Sequence, residues 1–220
     1  MKKIIVTTSW DDGNKLDVRL SDLLIKYGVR GTFYPAPNHK KFSLTEEDLK
    51  RLSRFQEIGA HTMSHPHLTA VNISEAKKEI IASKEYLEEL LGEKIKMFCY
   101  PYGEFSLGIK NLAKEAEFFG ARTVEDGAIN FPTDFFEFGT TLHVYPLAFW
   151  EKIRFLKWSG LAKKLFERVL KEGDVYHLWG HSWEIEKHGL WSDLESVLKY
   201  IANRQDCFYL TNSETLEKLR

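Results

Sequence analysis

The stretch Ile4-Ile5-Val6-Thr7-Thr8-Ser9-Trp10-Asp11-Asp12-Gly13 passes from apolar and β-branched residues to two adjacent acids. Its first part predicts a buried strand over residues 3–10, because β-branched residues favour strands. Neighbouring side chains on a strand point to opposite faces, so both carboxylates can serve one pocket only where the strand ends. Gly13 gives the backbone the freedom to leave the strand there. On its own, Asp-Asp-Gly is more typical of a turn or a helix cap.

Outward from this strand, apolar periodicity predicts strands and helices in alternation. Further strands are expected at residues 31–36, 58–61, 95–100, 121–124, 140–145, 174–181 and 207–210. Helices are expected at residues 15–27, 43–55 with Ser43 or Thr45 as the cap, 74–91, 109–119, 161–171, 194–202 and 213–219. This alternation favours a parallel α/β sheet, and the number of repeats suits a barrel better than an open sheet.

Length and composition exclude several classes of protein. We expect one domain over residues 1–220 with a substantial core. The formal net charge of -1 gives no reason to expect nucleic acid or an anionic membrane as a partner. No segment approaches the ~20 apolar residues of a membrane helix, and the apolar part of residues 4–6 is too short for a secretory signal. We therefore expect a cytoplasmic protein, whose oligomeric state the sequence leaves open.

The two cysteines, Cys99 and Cys207, are far apart and form no Cys-x-x-Cys pattern. They predict two reduced, buried thiols, and neither a disulfide framework nor a thiolate zinc site.

His61 and His65 are four positions apart, so in a helical turn their rings would share a face and could hold one metal ion. This spacing also arises by chance. Together with Asp12 the set becomes two nitrogens and one oxygen, which leaves positions open for water and substrate as in a catalytic zinc site. Such an ion lowers the pKa of its water to about 7 and polarises a carbonyl. The nearby His67 is expected to be structural or to support the ligands without binding the metal itself.

Several independent segments place reactive side chains at the carboxyl ends of predicted strands, where a parallel α/β barrel has its active site. These residues are Asp11, Asp12, His61, His65, Tyr102, Arg122 and His181. His181 is the last residue of its strand and is expected to reach the rim, whereas His177 is expected in the core.

Four segments in order resemble the motifs of the polysaccharide deacetylases of carbohydrate esterase family 4, and the likeness covers most of the chain. They are Trp10-Asp11-Asp12-Gly13, His61-Thr62-Met63-Ser64-His65, Phe98-Cys99-Tyr100-Pro101-Tyr102-Gly103 and Leu178-Trp179-Gly180-His181. The resemblance implies an α/β fold, a distorted, incomplete (β/α) barrel of about seven parallel strands.

The resemblance also implies a role for each matched residue. Asp11 matches the general base that takes a proton from the attacking water, and His181 matches the general acid that protonates the leaving amine. The backbone N–H of Tyr102 matches the oxyanion donor. The matched ligands of one divalent metal, usually zinc, are Asp12, His61 and His65. The donor set also suits Co²⁺, Ni²⁺ or Fe²⁺.

Two departures from the family pattern stand out. The third motif of the family usually opens with an arginine that pairs with the base, and Cys99 stands there. We hypothesise that Arg122 supplies the missing charge, although a loop-anchoring arginine fits the sequence equally. The fourth motif, an Asp and a Trp, is not evident. Candidates for it are Asp126, Glu184 and Trp150. Glu184 could orient His181 or bind a sugar hydroxyl, and an exposed Glu at a helix start fits as well.

Among the tryptophans, Trp183 and Trp191 are candidates for stacking on a sugar ring, and Trp183 is the better one because it adjoins His181. Packing in the core is the more common role of a tryptophan.

The expected function is metal-dependent hydrolysis of the N-acetyl amide of an amino sugar, oligosaccharide or polysaccharide. Without a visible secretion signal, a soluble glycan fragment or small acylated amine is the expected substrate. One alternative is a cyclic-imide, allantoin-type or formamide hydrolase on the same barrel. Another is a non-catalytic carbohydrate-binding relative.

Overall fold

Eight parallel strands and eight α-helices succeed one another along residues 3–145 and 158–219, which the computed structural model describes. The strands are Ile4–Asp12 (β1), Gly31–Pro35 (β2), Glu57–Ile58 (β3), Met97–Cys99 (β4), Gly120–Arg122 (β5), Leu142–His143 (β6), Val175–Gly180 (β7) and Cys207–Tyr209 (β8). The helices are Asp17–Lys26 (α1), Glu46–Ser53 (α2), Ile73–Leu91 (α3), Leu107–Glu115 (α4), Trp158–Glu172 (α5), Ser182–Lys187 (α6), Trp191–Ile201 (α7) and Asn212–Glu217 (α8).

The strand β1 lies in the middle of the larger sheet, whose order is β3-β2-β1-β7-β6, and β8 pairs with the first residues of β1. The strands β4 and β5 form a separate pair. Single parallel bridges, Ala60 to Phe98 and Arg122 to Phe138, connect this pair with the segments that follow β3 and precede β6. The predicted distorted, incomplete (β/α) barrel is therefore confirmed, with eight strands in the described ranges where about seven were expected.

All nine residues of β1 are buried. Strands of a parallel sheet are covered on both faces, which explains why Ile4 to Thr8 show no alternation of apolar and polar residues. On the helices, the apolar positions that predicted them, such as Leu20, Leu24 and Ile80, are fully buried. The acids of β1 are thus carried by a strand that is buried along its whole length.

Local capping chemistry sets the helix boundaries. Of the two candidate caps of α2, Thr45 is used: its hydroxyl accepts the N–H of Asp48, whose carboxylate accepts the N–H of Thr45. The Ser43 hydroxyl instead accepts the N–H of Lys15. The helix α3 ends at Gly92 in the left-handed conformation, as the sequence predicts.

Two differences from the predicted elements lie near the carboxyl ends of β1 and β7. The strand β1 continues through Asp12, which pairs with Pro35 of β2. A short helix, α6, starts directly after β7 and was not among the predicted elements, because its six residues are too few to show a helical period. Within the described ranges, no helix combines the length and apolar character needed to cross a membrane. Trp150 lies outside those ranges.

Candidate active site

Asp11 forms a buried ion pair with Arg122 of β5. The Arg122 guanidinium contacts both carboxylate oxygens of Asp11, and both side chains are almost wholly buried. Burial alone would raise the pKa of Asp11, but the neighbouring Arg122 guanidinium, aided by the nearby histidines, outweighs it and holds that pKa at about 2. Burial likewise opposes a charged Arg122, yet the Asp11 carboxylate prevails and raises the pKa of the guanidinium. Asp11 is therefore an ionised hydrogen-bond acceptor at neutral pH.

Cys99, at the end of β4, occupies the position where the family pattern has its arginine. Cys99 and Arg122 are partners in the register of β4 and β5, so their side chains leave the same face of the sheet at adjacent points. The Cys99 sulfur lies 3.8 Å from Asp11 Oδ2, and burial raises the pKa of the thiol well above its ordinary value. A neutral thiol thus adjoins Asp11, and the neighbouring strand provides the cation.

Asp12, His61 and His65 converge at one point beside Asp11, with potential ligand atoms that all lie within 4.8 Å of one another. His61 Nδ1 lies 2.8 Å from the carbonyl oxygen of Cys99, to which it can donate, and this leaves Nε2 for a metal. Asp12 Oδ1 is buried, has no hydrogen-bond partner among the described residues and lies 3.8 Å from His65 Nε2. An unsatisfied buried carboxylate oxygen beside two imidazoles fits a divalent cation.

The protonation states of His61 and His65 are also those that a divalent cation requires. Burial lowers the pKa of His61, and burial together with the neighbouring His61 lowers the pKa of His65 to about 3. Both rings are neutral at pH 7 and therefore in the form that binds metal ions.

The expected helical turn between His61 and His65 is wrong. Thr62 and His65 have φ values of 63° and 59°, in the left-handed region, and the segment is irregular. The Glu79 carboxylate of α3 accepts the N–H groups of Met63 and Ser64, each at 2.8 Å, and fixes the loop. The two rings meet edge to face with centroids 4.6 Å apart. A braced loop, and not the period of a helix, brings both imidazoles to one point.

The same conformation explains how neighbouring acids of β1 serve one cleft. Asp12 has a φ of 77°, and Gly13 follows with 74°, so the strand turns out of the sheet at its last residue. Asp12 Oδ2 accepts the indole N–H of Trp183 at 2.9 Å. The left-handed region costs of order 1–3 kcal/mol for a residue other than glycine and persists only where the surroundings enforce it.

His181 follows β7 and is linked to Glu184 of α6. His181 Nδ1 lies 2.6 Å from Glu184 Oε2, and His181 Nε2 lies 3.9 Å from Asp12 Oδ2. Burial disfavours the protonated ring, but the hydrogen bond to Glu184 and the charges of Asp11 and Asp12 outweigh it and raise the pKa of His181. Glu184 is only 8% exposed, so its reading as an exposed helix-start residue is wrong.

His143 of β6 was not among the predicted site residues. Its Nε2 lies 3.1 Å from Glu184 Oε2, so one carboxylate lies between two imidazoles. Burial raises the pKa of Glu184, but the nearby His143 ring and the hydrogen-bonded His181 ring outweigh burial and lower it to about 2. A histidine near the end of the predicted strand 140–145 was the available signal for this residue.

One cleft of about 400 Å³ is lined by Asp11, Asp12, His61, His65, His181 and Glu184. Tyr102 lies at its edge within the 3-10 turn Pro101–Gly103, with a φ of 57°, and its half-exposed ring stacks on His67 at 3.8 Å between centroids. Trp183 also lines the cleft. His39, which sequence reasoning missed, enters it from the loop after β2, with Nδ1 3.4 Å from Asp12 Oδ1.

The remaining candidates lie elsewhere. Asp126 accepts the indole N–H of Trp179 and the hydroxyl of Thr140, and it does not contact His181. Trp191 contacts Glu186 and Arg19 and is not among the residues that line the cleft. His177 is buried with Nε2 2.9 Å from the Ser9 hydroxyl, so its placement in the core is confirmed. Both cysteines are free and buried, as expected.

Residues 1–121 match the family model described as polysaccharide deacetylase. The chain belongs to this family. A curated relative in the polysaccharide deacetylase family is the peptidoglycan-N-acetylglucosamine deacetylase of Bacillus cereus, which is 36% identical over 106 residues. That match covers 46% of this chain and 38% of the relative, so the chain spans well under half of the relative's length.

Two solved structures share the fold over the whole chain. The putative polysaccharide deacetylase from Mycobacterium smegmatis superposes with a TM-score of 0.75 at 17% identity, covering 100% of this chain and 91% of that one. The Xyl-CE4 domain of a multidomain xylanase from the hindgut metagenome of Trinervitermes trinervoides gives 0.71 at 16% identity, covering 100% and 92%. At such identities the likeness establishes the fold alone.

Proposed function

We propose that this polysaccharide deacetylase relative is a metal-dependent amide hydrolase that removes the N-acetyl group of an amino sugar or its oligomer. The observation that carries the proposal is the convergence of an ionised base, a three-residue metal-binding set and a histidine acid on one cleft. These groups come from β1, from the residue that follows β7 and from the loop after β3, so their meeting is a property of the fold and not of local sequence.

Each residue has a defined task in this proposal. A divalent ion held by Asp12, His61 and His65 would polarise the acetyl carbonyl and make water acidic enough to lose a proton to a weak base. Asp11 is the carboxylate that accepts the proton, and Arg122 keeps it charged and fixes its orientation. His181 carries a proton on Nε2 towards the cleft and delivers it to the departing nitrogen. The backbone N–H of Tyr102 is the proposed donor to the oxyanion.

The test combines metal stoichiometry with product analysis. Purified protein is stripped of metal, reloaded with Zn²⁺, Co²⁺, Ni²⁺ or Fe²⁺, and incubated with N-acetylglucosamine oligomers. One ion per chain and release of acetate support the proposal. Hydrolysis of small cyclic imides or formamides without acetate release would favour the alternative hydrolase.

Replacing Arg122 by Ala is expected to lower turnover and leave metal content unchanged, because Asp11 loses the cation that holds it ionised. The variant also leaves a buried carboxylate unpaired, which costs about 3–5 kcal/mol of unfolding free energy in comparable cases. Acetate-release kinetics and urea unfolding measure the two effects. Cys99→Ala removes a neutral neighbour of the same carboxylate and is the matched control. An Arg122→Ala protein with wild-type turnover would rule the assignment out.

Replacing Glu184 by Gln is expected to shift the basic limb of the pH profile of kcat/KM to lower pH. Glu184 stabilises protonated His181, and the neutral amide lacks the charge that raises the pKa of this acid. The protein then loses its protonated acid at a lower pH than the wild type. Asp126→Asn, which alters a carboxylate that does not contact His181, should leave the limb in place. An unmoved limb in Glu184→Gln would exclude this positioning role.

A further inference from the structure

The cleft carries two lysines, Lys40 and Lys41, on the loop after β2. This loop is held at both ends: the N–H of Asn38 donates to the carbonyl of Met63 at 2.7 Å, and the Asn14 amide donates to the carbonyl of Lys41 at 3.1 Å. The ammonium of Lys41 lies 4.1 Å from the centre of the Trp183 ring. The lysines therefore project from a fixed backbone beside the proposed reaction centre.

The negative charges that line the cleft are largely neutralised within the protein. Asp11 is paired with Arg122, and Glu184 lies 2.6 Å from His181 Nδ1. Asp12 is the third acid among the described residues that line the cleft; it lies near histidines but has no arginine or lysine as an ion-pair partner there, and the expected metal ion would more than compensate its charge.

Lys40 and Lys41 have no carboxylate within ion-pair distance among residues 3–145 and 158–219. Two permanent positive charges thus face a concave site in which one acid lacks a cation. A cleft with an excess of one sign concentrates ligands of the opposite sign, and a lysine ammonium is a compact partner for carboxylate and phosphate groups.

We propose that the substrate carries an anionic substituent, a carboxylate or a phosphate attached to the N-acetylated sugar, and that Lys40 and Lys41 bind it. This inference rests on the proposed deacetylase function, since it concerns the substrate of the same cleft. It separates this chain from an enzyme built for a neutral N-acetylglucosamine polymer, which would offer neither ammonium group an anionic partner.

The experiment compares three probes: N-acetylglucosamine as the neutral sugar, N-acetylmuramic acid as the carboxylate and N-acetylglucosamine 6-phosphate as the phosphate. The metal-loaded wild type is expected to show a kcat/KM at least about tenfold higher for one charged probe than for the neutral one, as charge-assisted contacts allow. The charged probe with the larger ratio identifies the anion. In Lys40→Gln/Lys41→Gln the ratio should fall towards one, mainly through KM, and in Lys40→Arg/Lys41→Arg it should persist.

The matched control is Lys164→Gln/Lys199→Gln, which removes the same charge from exposed positions on α5 and α7 and should keep the wild-type ratio. Raising the ionic strength should reduce kcat/KM for the charged probe alone, because salt screens exposed charges. Equal kcat/KM for charged and neutral probes, or a ratio that both double Gln variants share with the wild type, would overturn the inference.

Failure of the proposed function gives a different result. If no probe loses acetate with any metal, the deacetylase proposal fails, and calorimetric binding of the same three sugars then judges the lysines. Preferential binding of a charged sugar that Lys40→Gln/Lys41→Gln abolishes would support anion recognition. Binding that ignores the charge of the sugar, or that the lysine variant leaves unchanged, would reject it.

Discussion

Asp11→Asn is expected to lower kcat for acetate release by about 10³-fold, which is within the range that a general base contributes. The amide keeps the size of the carboxylate and cannot accept the proton of the attacking water. Asp11 is not one of the three proposed ligands, so metal content, measured by inductively coupled plasma mass spectrometry, should stay at the wild-type value. Loss of kcat with retained metal would separate the base from the metal ligands.

The control for this variant addresses folding, because Asn leaves the buried Arg122 without its counter-charge. Circular dichroism and thermal unfolding show whether the protein is folded at the assay temperature. Acetate release equal to that of the wild type would contradict the assignment of Asp11 as the base. A wild type that releases no acetate while binding sugar would point to the non-catalytic relative instead.

Metal removal by a chelator is expected to reduce acetate release by at least about 10³-fold and to lower the melting temperature. The activity loss follows from the loss of carbonyl polarisation and of an acidic water. The stability loss follows because Asp12 Oδ1 has no other partner in the described structure and would remain buried and unpaired. Reloading the protein should restore both quantities, and differential scanning calorimetry measures the second independently of activity.

The loop after β3 offers a matched pair of variants for this prediction. His65→Gln removes a proposed ligand and should prevent binding of one ion per chain. His67→Gln removes an imidazole two positions away, whose half-exposed ring lies with Nδ1 3.0 Å from Glu104 Oε2. Because His67 is not one of the three proposed ligands, this variant should retain the ion. Equal metal content in the two variants would show that the histidine motif does not form the site.

Much of the fold was predictable because the strands are buried on both faces and the helices end at recognisable caps. The sequence run Ile4 to Thr8 and the end of α3 at Gly92 are examples in which local chemistry and final structure agree. The predicted strands 58–61 and 140–145 are longer than β3 and β6, because the irregular residues next to each strand are also apolar or β-branched.

The sequence indicated which residues belong to the candidate site better than it indicated the backbone conformation and contacts that bring them together. The motifs brought Asp12, His61 and His65 together correctly, although the assumed helical turn does not exist. Arg122 could be proposed because its predicted strand end left it near Asp11. His143 lies near the end of a predicted strand, but its partner Glu184 is distant in sequence, so their contact follows only from the pairing of β6 with β7.

The source of the cation beside Asp11 has a consequence for how deacetylase relatives are sorted. Arg122 belongs to β5 and Asp11 to β1, so their ion pair joins the two-stranded sheet to the larger one. A substitution of either residue would therefore affect both catalysis and folding. A genome survey that predicts catalytic activity from an arginine at the position of Cys99 would discard this chain, although the Arg122 guanidinium contacts Asp11. A survey that also inspected the residue paired with Cys99 on the neighbouring strand, which here is Arg122, would retain the chain.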